Sequence, residues 1–173
     1  MQKVAVFGNA GGGKSRLSKK LADITGLPLY VLDKIKYQTG GAEVPEAEFQ
    51  QFHQEILATE RWIIDGFGSL DMLWERLDTA DTLIYIDLPL PLHFWWVTKR
   101  LLTGFFSPPT GWPDKSPIWK SSLSSYRVLR LCHRLLTPRY RKYITETQNS
   151  KQVYHLQSAR QVAQFLELAK TLI

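Results

Sequence analysis

The run GNAGGGKS, from Gly8 to Ser15, constrains this chain more than any other stretch, because four of its eight residues are glycine. The apolar residues KVAVF at 3–7 precede it and predict a buried parallel strand. The residues KSRLSKKLADIT at 14–25 follow it and predict a helix that Gly26 and Pro28 end. A strand therefore passes through a turn of high backbone freedom directly into a helix.

This order and the spacing G-x-x-x-x-G-K-S define a P-loop, the phosphate-binding turn of many nucleotide-binding proteins. Glycines let backbone N–H groups point at phosphate oxygens, and the helix N-terminus adds its positive end. Lys14 can reach the β- and γ-phosphates, and the hydroxyl of Ser15 can bind Mg²⁺. The alternative is a glycine-rich turn that binds nothing, but the flanking strand and helix favour the P-loop. The predicted nucleotide-binding residues are Gly8, Ala10, Gly11, Gly12, Gly13, Lys14, Ser15 and Arg16.

The rest of the chain alternates apolar runs with amphipathic segments. Further strands are predicted at 29–33, 62–66, 82–89 and 152–156. Helices are predicted from Pro45, after a cap at Ser69, from about 92 to 102, over 117–136, and after a capping box at Ser158 and Gln161. Such alternation predicts an α/β chain of the P-loop NTPase class, with a five-stranded, mainly parallel sheet flanked by helices. Residues 1–173 are expected to form one domain.

Two acidic residues stand at predicted strand ends, Asp33 after the second strand and Asp65 in the third. The carboxyl ends of parallel strands meet at one edge of a sheet, where ligands of open α/β sheets bind. We assign Mg²⁺ to Ser15 and Asp65, and a catalytic contact with a phosphate acceptor to Asp33. Both acids could instead be ordinary strand-end residues, and the division of roles between them stays open.

The net charge of +6 is unevenly distributed. Residues 98–142 hold ten Lys or Arg and one acidic residue, a local charge of +9, which predicts an anionic partner there. We expect residues 99–142 to form a basic, helical, lid-like insertion within the domain. Arg127, Arg130 and Arg134 share one helical stripe with Lys120 and are predicted to close over phosphates during catalysis. A solvated helix face explains the same stripe without any function.

Composition excludes several classes of protein. A single cysteine allows no intramolecular disulfide, and the four scattered histidines show no metal-ligand spacing. The most apolar stretch, at 83–97, contains Asp87, Pro89 and Pro91 and is too short to span a bilayer. These features predict a cytoplasmic protein without a transmembrane segment or a secretory signal. They do not determine its oligomeric state.

At the level of whole motifs, the chain resembles the adenylate-kinase-like P-loop kinases. The resemblance rests on the P-loop, on LD ending at Asp33, and on IIDGF at 63–67. Adenylate kinases carry DGFPR where this chain has DGFGS at 65–69. The chain more closely resembles the DNA topology modulation (FlaR-related) proteins, through YVLD at 30–33, WIIDG at 62–66, ADTLIYIDLP at 80–89 and FWWVTKR at 94–100.

These features predict a phosphotransferase that uses ATP and Mg²⁺ on an unidentified acceptor, a nucleotide or a small metabolite. The absence of an N-K-x-D guanine motif favours ATP over GTP. Two alternatives rest on the basic segment. One is a nucleotide-regulated, nucleic-acid-binding protein, and the other is a peripheral membrane protein anchored by residues 92–106.

Overall fold

The computed structural model describes residues 1–36, 42–104 and 118–171. The strands in chain order are β1 (Lys3–Gly8), β2 (Leu29–Val31), β3 (Trp62–Asp65), β4 (Thr82–Ile86) and β5 (Gln152–Leu156). The helices are α1 (Lys14–Thr25), α2 (Leu32–Lys36), α3 (Glu46–Ala58), α4 (Leu70–Thr79), α5 (Leu90–Gly104), α6 (Ile118–Leu135), α7 (Thr137–Thr147) and α8 (Ala159–Ala169).

The five strands form one sheet in the order β2-β3-β1-β4-β5, and all four pairings are parallel. The predicted α/β fold is therefore confirmed, with a fully parallel sheet. β1 lies at the centre, and the chain leaves it toward β2 and β3 on one side and toward β4 and β5 on the other. This reversal of strand order opens a crevice at the carboxyl end of β1, where the glycine-rich run begins.

Alternating side chains of each strand reach opposite faces of the sheet and build two cores. Ala5 and Phe7 of β1 join a cluster with α3, α4 and α7, whereas Val4 and Val6 join a cluster with α1 and α8. Both faces are thus covered by helices, which explains why the strands are continuously apolar rather than alternating.

Local signals placed most helix ends correctly. Helix α1 has the predicted bounds and ends at Gly26, whose φ is 67° and whose N–H donates to Ala22 O at 2.8 Å. The Ser69 side chain accepts from Met72 N at 3.3 Å, and that of Ser158 accepts from Gln161 N at 3.2 Å. Both predicted caps are confirmed.

Three predicted elements need correction. The second strand ends at Val31 instead of Asp33, because α2 begins at Leu32 and packs against Gly66. The fourth strand ends at Ile86. The long helix predicted over 117–136 ends at Leu135, and α7, which was not predicted, follows with Pro138 in its first turn. Pro117 and residues 105–116 lie outside the described residues.

Within the described ranges, none of the helices combines the length and the apolarity that a membrane crossing requires.

Candidate functional site

The glycine-rich run adopts the conformation that its composition predicts. Gly8 has a φ of 135°, and a Cβ there would lie 2.2 Å from Ile86 O of the neighbouring strand. Gly13 is left-handed, with a φ of 78°, and it caps the N-terminus of α1. The chain therefore leaves the central strand, turns tightly beside β4 and enters α1 with that helix's free N–H groups at the sheet edge.

Helix α5 supports this loop from behind. A Cβ on Gly11 would lie 2.8 Å from Val97 Cγ2, and one on Gly13 would lie 3.2 Å from the Trp96 ring. The buried His93 donates through Nδ1 to Ala10 O at 2.8 Å. Burial lowers the pKa of His93 and keeps its imidazole neutral at physiological pH, although the bond to Ala10 opposes that shift. The loop is thus held in place by a packed helix.

Polar contacts within the loop fix Lys14 and Asn9. Lys14 Nζ donates to Asn9 O at 2.9 Å, so its ammonium folds back over the loop. The buried Asn9 side chain accepts from Ala10 N at 2.9 Å and donates to Leu129 O of α6 at 3.3 Å. The Ala10 amide is therefore occupied, and α6 is tied to the loop.

Asp65 is the most unusual group near the loop. Its side chain is buried. Among the described residues, no donor lies at both the distance and the angle of a hydrogen bond to either carboxylate oxygen. Burial raises the pKa of Asp65, and the Lys14 charge and the Ser15 hydroxyl act against that rise. An orphaned buried carboxylate beside a serine hydroxyl and a lysine fits a site for Mg²⁺, which takes oxygen ligands and often completes its shell with water and phosphate.

Asp33 lies close to Asp65 but in a different environment. It is exposed in the first turn of α2, and Phe67 N donates to its Oδ1 at 3.4 Å. Gly66, with a φ of 106°, makes this arrangement possible, because a Cβ there would lie 3.1 Å from Asp33 N. The Asp65–Gly68 turn thus brings the two predicted acids to the same edge as the P-loop.

Arg76 of α4 anchors this turn from inside the protein, and the sequence analysis did not assign it. Its guanidinium is fully buried, and Nη2 donates to Gly66 O at 2.8 Å, whereas Nε and Nη1 have no partner among the described residues. Burial lowers the pKa of Arg76 to about 10, and the nearby carboxylates of Asp65 and Asp33 oppose that shift. It remains charged at neutral pH and balances the carboxylates of this corner.

The loop and the two acids open into a single large cavity of about 1360 Å³. On the α7 side of the cavity, named for the helix that borders it, the walls are Phe7, Leu73, Val128, Cys132, Leu136 and Tyr140. On the opposite, α8 side, they are Trp96, Val162 and Leu166 together with Arg16, Lys19 and Lys20. Drug-sized ligands occupy pockets of roughly 300–1,000 Å³, so this volume is large enough for two small molecules.

The predicted lid arginines are not brought to this cavity. Val128 and Cys132 of α6, together with Leu136 directly after that helix, are spaced four residues apart and line the cavity. Arg127, Arg130 and Arg134 are exposed and lie outside the cavity lining. The side chain of Lys120 lies outside the described residues. The role of these arginines in catalysis therefore stays a prediction, and it requires α6 to move.

Asp87, which follows β4, belongs to a separate cluster. Arg141 binds it through two hydrogen bonds, from Nε at 2.8 Å and from Nη2 at 3.1 Å, and His155 Nε2 lies 2.8 Å from Oδ2. Burial alone would raise the pKa of Asp87, but the bonds from Arg141 and His155 lower it below its usual value. This carboxylate ties α7 to the sheet.

Sequence reasoning missed Arg76, His93 and Asn9. Asn9 lies inside the P-loop motif, but at a position where the motif allows any residue, so the pattern assigned it no role. His93 and Arg76 had no local signal, because only packing buries them against the loop and the Asp65–Gly68 turn.

Comparisons with known proteins support the fold. No family model matches the sequence, and no curated protein does either. A shikimate kinase from Acinetobacter baumannii, solved in complex with shikimate, superposes with a TM-score of 0.57 over 99% of this chain and 90% of its own, at 15% identity. A shikimate kinase from Bacteroides thetaiotaomicron superposes with a TM-score of 0.51 over 98% of this chain and 96% of its own, at 13% identity. At such identities the likeness establishes the fold.

The comparisons support the broader of the two sequence resemblances and not the narrower one. The fold is similar to that of the two shikimate kinases, in line with the broader of the two resemblances. The more specific resemblance to the DNA topology modulation (FlaR-related) proteins is not supported, and neither is the nucleic-acid-binding alternative associated with it. The motif WIIDG forms the buried strand β3 and the start of the turn after it, so structural requirements of this fold account for its residues.

Proposed function

We propose that this protein is a phosphotransferase that uses Mg-ATP to phosphorylate a small acceptor. The observation that carries the proposal is the convergence of the P-loop, the orphaned Asp65 carboxylate and the exposed Asp33 at one end of a cavity large enough for two ligands. The likeness of fold to shikimate kinases supports the reaction class, and the chain's own residues supply the roles.

Binding of ATP is assigned to the loop. Free N–H groups of the loop and of the α1 N-terminus would donate to the phosphate oxygens, and Lys14 would leave Asn9 O to reach the β- and γ-phosphates. Ser15 and Asp65 would hold Mg²⁺, which neutralises charge on the phosphate oxygens when bound. Trp96, Val162 and Leu166 offer an apolar surface for the base on the α8 side of the cavity.

The transfer step is assigned to Asp33. Its exposed carboxylate accepts the proton of the acceptor hydroxyl while that oxygen bonds to the γ-phosphorus, the bond to the β-phosphate oxygen breaks, and ADP leaves. Catalysis of this kind depends mainly on positioning and charge neutralisation. Arg127, Arg130 and Arg134 are proposed to approach the transferred phosphate when α6 closes.

The test is release of ADP from Mg-ATP by the wild-type chain and by Lys14→Met, with and without a pool of nucleosides, nucleotides and small hydroxylated metabolites. Lys170→Met is the matched control, since Lys170 is an exposed lysine of the α8 end that pairs with Glu167. The proposal predicts pool-stimulated release that only Lys14→Met abolishes. A rate that Lys14→Met leaves unchanged contradicts it, and a Lys14-dependent rate that no pool stimulates indicates an ATPase instead.

A further inference from the structure

The two sides of the cavity differ sharply in charge. The α8 side carries the cations Arg16, Lys19 and Lys20, with Asp23 beside them. The described walls of the α7 side consist of apolar or aromatic side chains and the Cys132 thiol, with the buried Thr137 at its edge. The remaining lining cations are Lys14 of the P-loop and Lys99 of α5, the helix that packs behind that loop.

Where the α7 side meets the P-loop, two carboxylates lie near Lys14, whose charge reaches Asp65 and Cys132 and which the proposed function assigns to the phosphates of ATP. Asp33 is exposed there, and Asp65 lies beside it in the cavity wall. The nearest buried cation, Arg76, is already bound to Gly66 O and does not line the cavity. When ATP engages Lys14, a carboxylate or phosphate group placed on the α7 side would therefore lie against apolar walls and face the like charge of Asp33. Burial of an unpaired anion is strongly unfavourable.

We infer that the acceptor is a hydroxyl compound with an apolar body, uncharged or cationic, and without a phosphate or carboxylate group. This inference rests on the proposed function, because it takes the α8 side for the nucleotide and leaves the α7 side for the acceptor. An apolar body buries against Phe7, Leu73 and Leu136, and its hydroxyl reaches Asp33 next to the P-loop. Nucleoside monophosphates and hydroxy acids are disfavoured by the same walls.

Cys132 makes this inference directly measurable. It is the single cysteine of the chain, it is half-buried, and it lines the α7 side. A compound that occupies this side should slow the reaction of Cys132 with a maleimide. The experiment uses the full chain saturated with Mg-ADP, so that the α8 side is filled. Cys132→Ser is the control that assigns all labelling to this thiol.

The probes are matched pairs that share a body and differ in charge: thymidine and its 5′-monophosphate, methyl shikimate and shikimate, tyramine and 4-hydroxyphenylacetate. We expect the uncharged or cationic member of the best-protecting pair to act at a concentration at least about tenfold lower than its anionic counterpart. Equal or better protection by the anionic members overturns the inference, and so does a lack of protection by every compound at millimolar concentration.

Failure of the inference and failure of the proposed function are separable here. Binding of Mg-ADP is measured first, by equilibrium dialysis. If Mg-ADP does not bind, the phosphotransferase proposal fails before any probe is tested. If Mg-ADP binds and the anionic probes protect Cys132 best, the phosphotransferase proposal stands and the charge class of the acceptor is wrong.

Discussion

His53 should make the stability of this protein strongly dependent on pH. It lies on α3 with no exposed surface, and neither ring nitrogen has a hydrogen-bond partner among the described residues. Burial lowers the pKa of His53 to about 4, the Arg76 charge lowers it further, and Glu75, 3.7 Å from Nδ1, opposes the shift. The unfolded chain should titrate this imidazole near its ordinary value of 6.5.

The sign and size of the effect follow from linkage. Below pH 6.5 the unfolded state binds a proton that the folded state does not, so the free energy of unfolding falls as the pH falls. The loss is negligible at pH 7.5, reaches about 2 kcal/mol at pH 5, and approaches about 3 kcal/mol near pH 4, where the folded state also takes up the proton. This is a substantial part of the 5–15 kcal/mol that typically stabilises a domain.

The assay is urea unfolding of the wild-type chain and of His53→Leu at pH 7.5, 6 and 5, with equal m-values as the check that both unfold alike. The wild-type chain should lose about 2 kcal/mol more than the variant between pH 7.5 and 5. Protonation of Asp65, whose raised pKa stabilises the folded state on acidification, occurs in both proteins and cancels in the difference. Parallel pH profiles would refute the reasoning. A wild-type chain that gains stability relative to His53→Leu on acidification would show instead that His53 is protonated and pairs with Glu75.

Three further predictions test the site and its support. Lys14→Met should reduce nucleotide turnover at least about 100-fold, measured by ADP release, with urea unfolding unchanged to about 0.5 kcal/mol. Gly8→Ala should prevent folding or lower the free energy of thermal unfolding by several kcal/mol, because the new Cβ would lie 2.2 Å from Ile86 O. Gly26→Ala, which has open space around it, should cost only about 1 kcal/mol. Equal costs for the two variants would contradict the packing argument. Asp87→Asn should destabilise the chain by about 1–3 kcal/mol at neutral pH. The lowered pKa of Asp87 stabilises the folded state above pH 3.8, the ordinary value of this carboxyl. The difference in unfolding free energy between the wild-type chain and Asp87→Asn should therefore shrink as the pH falls below 3.8 and through the folded pKa. A difference that stays constant down to about pH 3 would contradict the ion pair.

The sequence by itself determined the features that depend on neighbouring residues. The strand, glycine turn and helix of the P-loop, the caps at Ser69 and Ser158, and the end of α1 at Gly26 are present as predicted. Each rests on the backbone preference of a glycine or on a side chain that reaches an amide three residues away. The parallel sheet also followed from sequence, because alternation of strands and helices leaves few other ways to cover apolar strands.

Only the tertiary structure decided which side chains the site contains. The stripe of arginines on α6 was evident from spacing, but packing turned Val128, Cys132 and Leu136 toward the cavity instead. Arg76 looked like any basic residue of an amphipathic helix, and its burial depends on α4 lying across the Asp65–Gly68 turn. Periodicity identifies a face of a helix, whereas the partner of that face is set by contacts between residues far apart in the chain. For the same reason, the charge difference between the two sides of the cavity became visible only in the folded protein.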